Sequence, residues 1–338
     1  VPRDDGTVRL ASEGFGRVDI DLAHLEADEG EKNTTASIIR GVCACTVRAG
    51  YAIGGFDACV SSRVPAGSGL SSSASFEVLI ADVLSVLYNE NRITPLEKAL
   101  ISREAENVYF GKPCGLEDQL AIALGGLSFI DFGDPLCPLF EKVDEKLLSG
   151  EYDLCVTNTG GSHSDLSDEY AAVPEDMTRV ANSLGCDRMR RVSPEVFFEA
   201  LPSLKETFPH RALLRAYHFI KENERSARAK DLIKQGDISG FLSLVSESGR
   251  SSYMYLQNVY VSGEVGHQEM SLALALSEHI LDGRGAFRLQ GGGFAGTVIA
   301  FVPGDLTDKY LSIMESVFGK GSVSVLRVRN CGAVCLDN

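Results

Sequence analysis

The chain has 338 residues, of which 44% are hydrophobic and 23% charged, and its formal net charge is −15. This length is sufficient for two domains, and the composition is that of a globular protein with a sizeable core. An acidic surface argues against nucleic acid or an anionic membrane as the main partner, because both require clustered lysine and arginine.

The chain contains nine cysteines, an odd number, and several lie within apolar runs. This usage indicates free, mostly buried thiols rather than a disulfide framework. Neither Cys43-x-Cys45 nor the Cys331/Cys335 pair has a second pair or histidines at the spacing of a zinc site. The sequence shows no signal peptide and no long apolar segment, so we expect a soluble, cytoplasmic protein.

The first residues predict a turn at 1–6, followed at 7–10 by the second arm of a hairpin whose partner would lie upstream. We therefore expect the natural protein to begin before Val1. A half-buried strand is predicted at 55–60, where apolar and other residues alternate.

The segment at 64–74, Val-Pro-Ala-Gly-Ser-Gly-Leu-Ser-Ser-Ser-Ala, joins this strand to a helix predicted over 76–88. Its glycines permit a tight turn, and a helix N-terminus offers N–H donors and partial positive charge to a phosphate. It matches neither a P-loop nor a dinucleotide fingerprint. The pattern favours a phosphate cradle, with a flexible Gly/Ser loop as the alternative.

Thr94-Pro95-Leu96-Glu97 has the features of a helix start with a capping box, and this helix is expected to reach about Tyr109. A turn at 111–119 leads into a short helix that ends at Gly125. The later chain predicts helices throughout 164–245 and strands at 127–132, 153–157, 297–302 and 323–329. Strands and helices without regular alternation favour an α+β fold over a doubly wound sheet.

Two carboxylates and one tyrosine are candidates for chemistry. A kinase acting on a hydroxyl must hold phosphates and Mg²⁺ and orient its acceptor, and carboxylates serve as base and as metal ligand. Glu106 could instead be a solvent-facing helix residue, and Asp118 could simply complement a helix dipole. Tyr170 could pack in the core or bind a sugar, and the glycine run at 291–296 could be a tight strand entry or a close approach to a ligand.

Three segments together resemble the galactokinases of the GHMP kinase superfamily. Pro-Ala-Gly-Ser-Gly-Leu-Ser-Ser-Ser-Ala at 65–74 resembles the family's phosphate-binding motif. Gln-Gly-Gly-Gly-Phe-Ala-Gly at 290–296 resembles its third, glycine-rich motif. The run at 105–119, which ends in Cys114-Gly-Leu-Glu-Asp-Gln, resembles the galactokinase run ending in Cys-Gly-x-Met-Asp-Gln. The order is that of the family, and the similarity extends over essentially the whole chain.

This resemblance implies a two-domain α+β fold with the active site in the cleft between the domains. We place the N-terminal domain at 1–120 and the C-terminal domain at 121–338. The implied substrates are ATP, with Mg²⁺, and D-galactose, and the implied product is galactose 1-phosphate.

The resemblance also implies residue roles. Asp118 would be the catalytic base, and Ser73 and Glu106 would hold Mg²⁺. Gly115 and Tyr170 would contact galactose, as would Asp118. ATP would be bound by the two glycine-containing segments, through Gly67, Ser68, Gly69, Leu70, Ser71, Ser72, Ser73, Gly291, Gly292 and Gly293.

The chain departs from the family pattern in two places. The family's opening motif, which supplies an arginine and a sugar-binding group, is absent; Gly16-Arg17-Val18 with His24 and Glu26 mimics its spacing but lies too close to the serine segment. Glu117 stands where the family has methionine. Two alternatives stay open, namely a catalytically silent sugar- and ATP-binding regulator and a kinase for a related sugar such as N-acetylgalactosamine. The sequence leaves the oligomeric state open.

Overall fold

A computed structural model describes residues 1–64, 71–143, 150–161, 166–294 and 296–336. The chain divides into two compact units. Unit 1 comprises Val1–Ile130 together with the segment from Arg329 onward, and unit 2 comprises Asp131–Val328. The boundary expected from the sequence, after residue 120, lies inside a helix of unit 1.

Unit 1 contains a four-stranded sheet in the order β1-β4-β2-β3. Its strands are β1 (Pro2–Arg3), β2 (Thr7–Ser12), β3 (Gly16–Asp21) and β4 (Gly55–Val60). β2 pairs antiparallel with β3 and parallel with β4, so both of its edges are occupied by strands that follow it in the chain. The expectation of an upstream partner for residues 7–10 is therefore wrong.

Four helices pack on this sheet or on one another: α1 (Thr35–Arg48), α2 (Ser72–Tyr88), α3 (Pro95–Ala105) and α4 (Glu117–Leu124). The core of the unit is formed by alternate side chains of the strands and the apolar faces of α1 and α2, including Val8, Leu10, Phe56, Ile39 and Leu84. α3 begins with the predicted capping box, in which Thr94 and Glu97 each accept a hydrogen bond from the other's backbone N–H.

A terminal segment from Arg329 onward packs against the end of α4. The N–H of Gly126 donates to the carbonyl oxygen of Arg329 at 2.7 Å. A Cβ on Gly125 would lie 2.1 Å from the backbone carbon of Cys331, and one on Gly332 would lie 2.0 Å from the carbonyl oxygen of Ala123. The two backbones therefore approach so closely that neither glycine tolerates a side chain.

Unit 2 contains an antiparallel sheet in the order β10-β7-β9-β8. Its strands are β7 (Tyr152–Asn158), β8 (Ala286–Gln290), β9 (Thr297–Pro303) and β10 (Val323–Leu326). A separate pair is formed by β6 (Leu139–Val143) and β5 (Leu127–Asp131), of which only Asp131 belongs to unit 2. Mainly antiparallel pairing and segregated helices agree with the α+β class expected from the sequence.

The described part of unit 2 also contains the α-helices α5 (Ser167–Ser183), α6 (Pro194–Thr207), α7 (His210–Gln235), α8 (Ile238–Ser251), α9 (Glu269–Leu281) and α10 (Thr307–Phe318). α9 and α10 pack on the sheet, where Tyr310 and Met314 are fully buried, while α5, α6 and α7 form a second core of their own. Among the helices of the described ranges, none is both long and apolar enough to cross a membrane.

Candidate active site

Two side chains that come from separate segments of unit 1 meet at the start of α2. Ser73 Oγ donates a hydrogen bond to Glu106 Oε1 at 2.9 Å, although the residues are 33 positions apart. The Glu106 side chain is 2% exposed. α2 begins at Ser72, earlier than predicted, and the preceding Ser71 adopts a left-handed conformation at φ 57°. Gly67, Ser68, Gly69 and Leu70 lie outside the described residues.

Glu106 begins a five-residue π-turn, Glu106–Phe110, that directly follows α3. The turn ends at Gly111, whose φ is 85°. Glycine adopts this left-handed conformation at no steric cost because it has no Cβ. π-turns widen a helix by one residue and occur frequently at functional sites. The sequence predicts an uninterrupted helix here and did not predict this π-turn, which only the structure shows.

The loop between the π-turn and α4 is fixed by an asparagine side chain. The N–H of Cys114 donates to Asn107 Oδ1 at 2.7 Å, and Asn107 Nδ2 donates to the Cys114 carbonyl oxygen at 3.4 Å. Burial is the main reason that the pKa of the Cys114 thiol is raised to about 12, and the neighbouring Glu106 raises it further. Cys114 is therefore a neutral packing residue, not a reactive thiolate.

Gln119 connects Glu106 to a second buried carboxyl group. Its Nε2 donates to Glu106 Oε2 at 2.7 Å and to Glu77 Oε2 at 3.1 Å. Glu77 lies one helical turn after Ser73 on α2 and is 0% exposed. Burial, followed by the charge of Glu106, raises the pKa of Glu77 to about 8, against the hydrogen bond from Gln119. Both carboxyl groups are thus oriented by one amide. Sequence reasoning did not single out Glu77.

Lys112 supplies a cation at the exposed side of this cluster. Its Nζ lies 3.3 Å from Glu106 Oε1, the same oxygen that Ser73 contacts, and its side chain is 60% exposed. The sequence analysis assigned no role to this lysine.

Asp118 and Gly115 lie just beyond the loop that Asn107 holds. Asp118 is the second residue of α4 and is exposed, as a group that meets a substrate must be. Gly115 is also exposed, and a Cβ built on it meets no atom within 4 Å.

Ser73 and Glu106 form a donor set that fits Mg²⁺. A hydroxyl oxygen and a carboxylate oxygen 2.9 Å apart are hard ligands close enough to share one cation. Mg²⁺ typically takes only one or two carboxylates from a protein and completes its octahedron with water and substrate phosphates.

In unit 2 the glycine run forms a loop held by two side chains. Tyr170, on α5, donates from its hydroxyl to the carbonyl oxygen of Gly293 at 2.6 Å. Asn258 Nδ2 donates to the carbonyl oxygen of Gly292 at 2.9 Å. The carbonyl oxygen of Asn258 accepts the N–H of Phe294, whose ring meets that of Tyr170 edge to face.

Glycine is required at position 293, because its φ is 86° and a Cβ would lie 2.0 Å from the Asn258 carbonyl oxygen. Gly291 also has a positive φ, 74°, but a Cβ there would meet open space. The structure therefore brings together Tyr170 and the predicted Gly291, Gly292 and Gly293, and adds Asn258, which sequence reasoning missed.

Asn258 follows a second π-turn, Ser252–Leu256, which continues α8. The carbonyl oxygen of Leu256 accepts a hydrogen bond from Arg215 Nε at 3.3 Å, and Arg215 Nη1 donates to Asp176 Oδ2 at 2.8 Å. Arg215 is fully buried. Arg215, a buried residue of α7 that pairs with Asp176 of α5, thus holds the backbone just before Asn258.

A second polar cluster lies between α7 and α8. His218 Nδ1 lies 2.9 Å from Ser251 Oγ, and Glu222 is hydrogen-bonded by Ser248 and Arg225. Burial is the main cause that lowers the pKa of His218 to about 4. The serines belong to a stretch to which the sequence analysis assigned no role.

Comparison with known proteins places these features in a family. Residues 36–126 match the GHMP kinases N terminal domain. The chain is 30% identical to the galactokinase of Clostridium tetani over 321 residues, covering 94% of this chain and 79% of that protein. It is 33% identical to the galactokinase of Pyrococcus furiosus over 270 residues, covering 79% of this chain and 70% of the relative.

Among solved structures, that of Lactococcus lactis galactokinase complexed with galactose superposes with a TM-score of 0.79 at 26% identity. The match covers 98% of this chain and 84% of the other. The similarity therefore includes both units.

Proposed function

This chain belongs to the galactokinase family of the GHMP kinase superfamily, and we propose that it transfers the γ-phosphate of ATP to the anomeric hydroxyl of D-galactose. In this reaction the hydroxyl oxygen forms a bond to the γ-phosphorus, the bond from that phosphorus to the β-γ bridging oxygen breaks, and the hydroxyl proton leaves. The products are galactose 1-phosphate and ADP.

Asp118 is the base in this proposal. It accepts or orients the proton of the anomeric hydroxyl, and a carboxylate exposed in the first turn of a helix is accessible for that task. Gly115 and Tyr170 are proposed to contact the sugar with Asp118. Ser73 and Glu106 would hold Mg²⁺, which, when bound, neutralises charge on the phosphate oxygens.

The nucleotide phosphates are proposed to bind at the segment from Gly67 to Ser73, which ends in the first turn of α2. The N–H groups at the start of a helix are suited to an anion of this kind. In unit 2 the loop Gly291–Gly293 is proposed to bind the same nucleotide. Its backbone is held by Tyr170 and Asn258, so it is ordered before any ligand arrives.

One observation carries the proposal: the 2.9 Å contact between Ser73 and Glu106. It joins the serine segment to Glu106, which directly follows α3. From Glu106 the chain continues through the loop held by Asn107 to Asp118. The residues proposed as metal ligands and the residue proposed as the base are thereby connected within one folded unit. The use of ATP is consistent with a cytoplasmic enzyme, which we propose as its location.

Galactose-dependent ADP release with Mg-ATP tests the proposal, with Asp118→Asn as the matched blank. The substitution keeps the shape of the side chain and removes the base, so we expect a loss of at least about 10²-fold in kcat with ATP binding retained. N-acetylgalactosamine serves as the competing substrate. Binding of ATP and galactose by the unmodified protein without turnover would instead indicate a regulator, and near-normal turnover by Asp118→Asn would refute the role of Asp118.

A further inference from the structure

Both oxygens of the Glu106 carboxylate accept hydrogen bonds from protein groups. Oε2 accepts from Gln119, and Oε1 accepts from both Ser73 Oγ at 2.9 Å and Lys112 Nζ at 3.3 Å. Oε1 is also the oxygen that, with Ser73, would bind Mg²⁺. A divalent cation and an ammonium group repel each other strongly at such short separation. Lys112 and a metal ion therefore cannot both contact this oxygen.

Of these partners, Lys112 is the one that can move. The Glu106 side chain is 2% exposed, whereas that of Lys112 is 60% exposed. An exposed lysine side chain loses conformational freedom when it is held in one geometry, and its four-carbon stem reaches several positions from one backbone site. Ser73 and Gln119, in contrast, are held within α2 and α4.

The position of Lys112 also determines which part of the site its positive charge can reach. Its ammonium group and the Ser73 hydroxyl share one oxygen atom, so it lies beside the first turn of α2, where the serine segment ends. The surroundings are acidic, since Glu106 and Asp118 both lie near enough to Glu77 to raise its pKa by their negative charge. A triphosphate that approaches this acidic region requires positive charge.

We propose that Lys112 is a phosphate-binding residue that leaves Glu106 when Mg-ATP arrives and pairs with the triphosphate. Before nucleotide binds, its ammonium group occupies the coordinating oxygen of Glu106 and competes with divalent cations. Lys112 thus makes metal binding and nucleotide binding mutually dependent. This inference rests on the proposed function, because it requires that the protein binds Mg-ATP.

Lys112→Gln tests the inference through two effects of opposite sign. Without nucleotide, Mn²⁺ binding followed by electron paramagnetic resonance is expected to tighten by up to about fivefold, because an exposed competing charge is removed. With saturating Mg²⁺, ATP binding followed by calorimetry is expected to weaken by about tenfold, because a charge-assisted contact to phosphate is lost. A purely structural role would not move the two affinities in opposite directions.

Two further variants serve as controls. Lys112→Arg retains the charge and is expected to bind ATP within about threefold of the unmodified protein. Lys205→Gln removes the same charge from an exposed lysine of unit 2, whose Nζ pairs with Glu206 at 3.7 Å, and is expected to change neither affinity.

Unchanged Mn²⁺ affinity or unchanged ATP affinity in Lys112→Gln overturns the inference. If the unmodified protein phosphorylates galactose while Lys112→Gln behaves like Lys205→Gln, the inference alone fails. If the unmodified protein does not bind ATP, the proposed function fails together with it.

Discussion

The hydroxyl of Tyr170 lies 2.6 Å from the carbonyl oxygen of Gly293, 123 positions later in the chain. The ring also covers the neighbouring glycine, since a Cβ on Gly292 would lie 2.8 Å from Tyr170 Cε1. With Asn258 on its other side, the glycine loop is ordered by the protein itself. A loop that is ordered in advance binds its ligand at a lower entropic cost.

Gly293→Ala is expected to disrupt this loop, because the added Cβ would lie 2.0 Å from the Asn258 carbonyl oxygen at a φ of 86°. We expect a lower Tm and a loss of more than about tenfold in ATP affinity, since overpacking costs about 1–3 kcal/mol in addition to backbone strain. Gly291→Ala is the control. It carries similar backbone strain but no steric conflict, so it is a control for the Tm, and an equal loss of Tm in both variants would contradict this explanation.

Gly115→Ala is expected to separate folding from ligand binding. A Cβ at this position meets no protein atom within 4 Å, and its φ is not in the left-handed region. The Tm should therefore be unchanged or slightly higher, because alanine restricts the unfolded chain more than glycine does. If Gly115 contacts galactose, as proposed, the KM for galactose should rise severalfold while the KM for ATP stays constant. A normal KM for galactose would remove Gly115 from the sugar site.

Glu77→Gln is expected to stabilise the protein at alkaline pH. The pKa of Glu77 is raised to about 8 in the folded state, above the 4.5 of an exposed glutamate. The folded protein therefore retains a proton that the unfolded chain releases. The stability that this proton confers is complete below about pH 4.5 and is lost as the pH rises through about 8. Glutamine keeps the acceptor for Gln119 and does not ionise.

Thermal unfolding between pH 5 and pH 9 without metal measures this effect. We expect the Tm of Glu77→Gln to exceed that of the unmodified protein by about 5 °C at pH 8, since 1 kcal/mol corresponds to roughly 1–2 °C in a chain of 338 residues. The difference should shrink towards pH 5. Glu13→Gln, at an exposed glutamate, is the control and should leave the curve unchanged. Parallel curves for Glu77→Gln and the unmodified protein would contradict the buried, protonated state.

His218→Asn is expected to change stability at the acid end. Burial lowers the pKa of His218 to about 4, below the usual 6.5, so the folded state favours the neutral ring. The stability gained from this preference is present above about pH 6.5 and is lost as the pH falls through about 4. The variant should be less stable at pH 7, because it loses packing, but should lose less on acidification. His279→Asn, at an exposed histidine, should retain the acid dependence, and the same steepness in His218→Asn would refute the assignment.

Local sequence signals predicted several elements correctly. The Thr94–Glu97 capping box is present with both of its hydrogen bonds, and β4 has the predicted bounds. Such features depend on contacts within one turn or on the alternation of a single strand. The family resemblance pointed to Ser73 and Glu106, and the structure places the two side chains in contact. Their role in metal binding stays a prediction.

Features that depend on distant contacts could not be predicted. The partners of β2 are chosen by pairing across the sheet, and nothing within residues 7–12 specifies them. The π-turn at Glu106–Phe110 is a single turn at the end of α3, and no residue within it distinguishes it from the last turn of an ordinary α-helix. Glu77 looks like any polar residue on a helix until Gln119, 42 positions later, is placed beside it.

The terminal segment that packs against Gly125 and Gly126 affects how the protein is made. The ribosome synthesises Ser73, Glu106 and Asp118 early, but Arg329 and Cys331 emerge only after all of unit 2. Because the backbones of this segment and the end of α4 fit together closely, a nascent chain cannot complete unit 1 until the segment that follows unit 2 has been synthesised. Premature termination anywhere in unit 2 would therefore leave the half that carries Asp118 unfinished, although every one of its proposed catalytic residues had been synthesised.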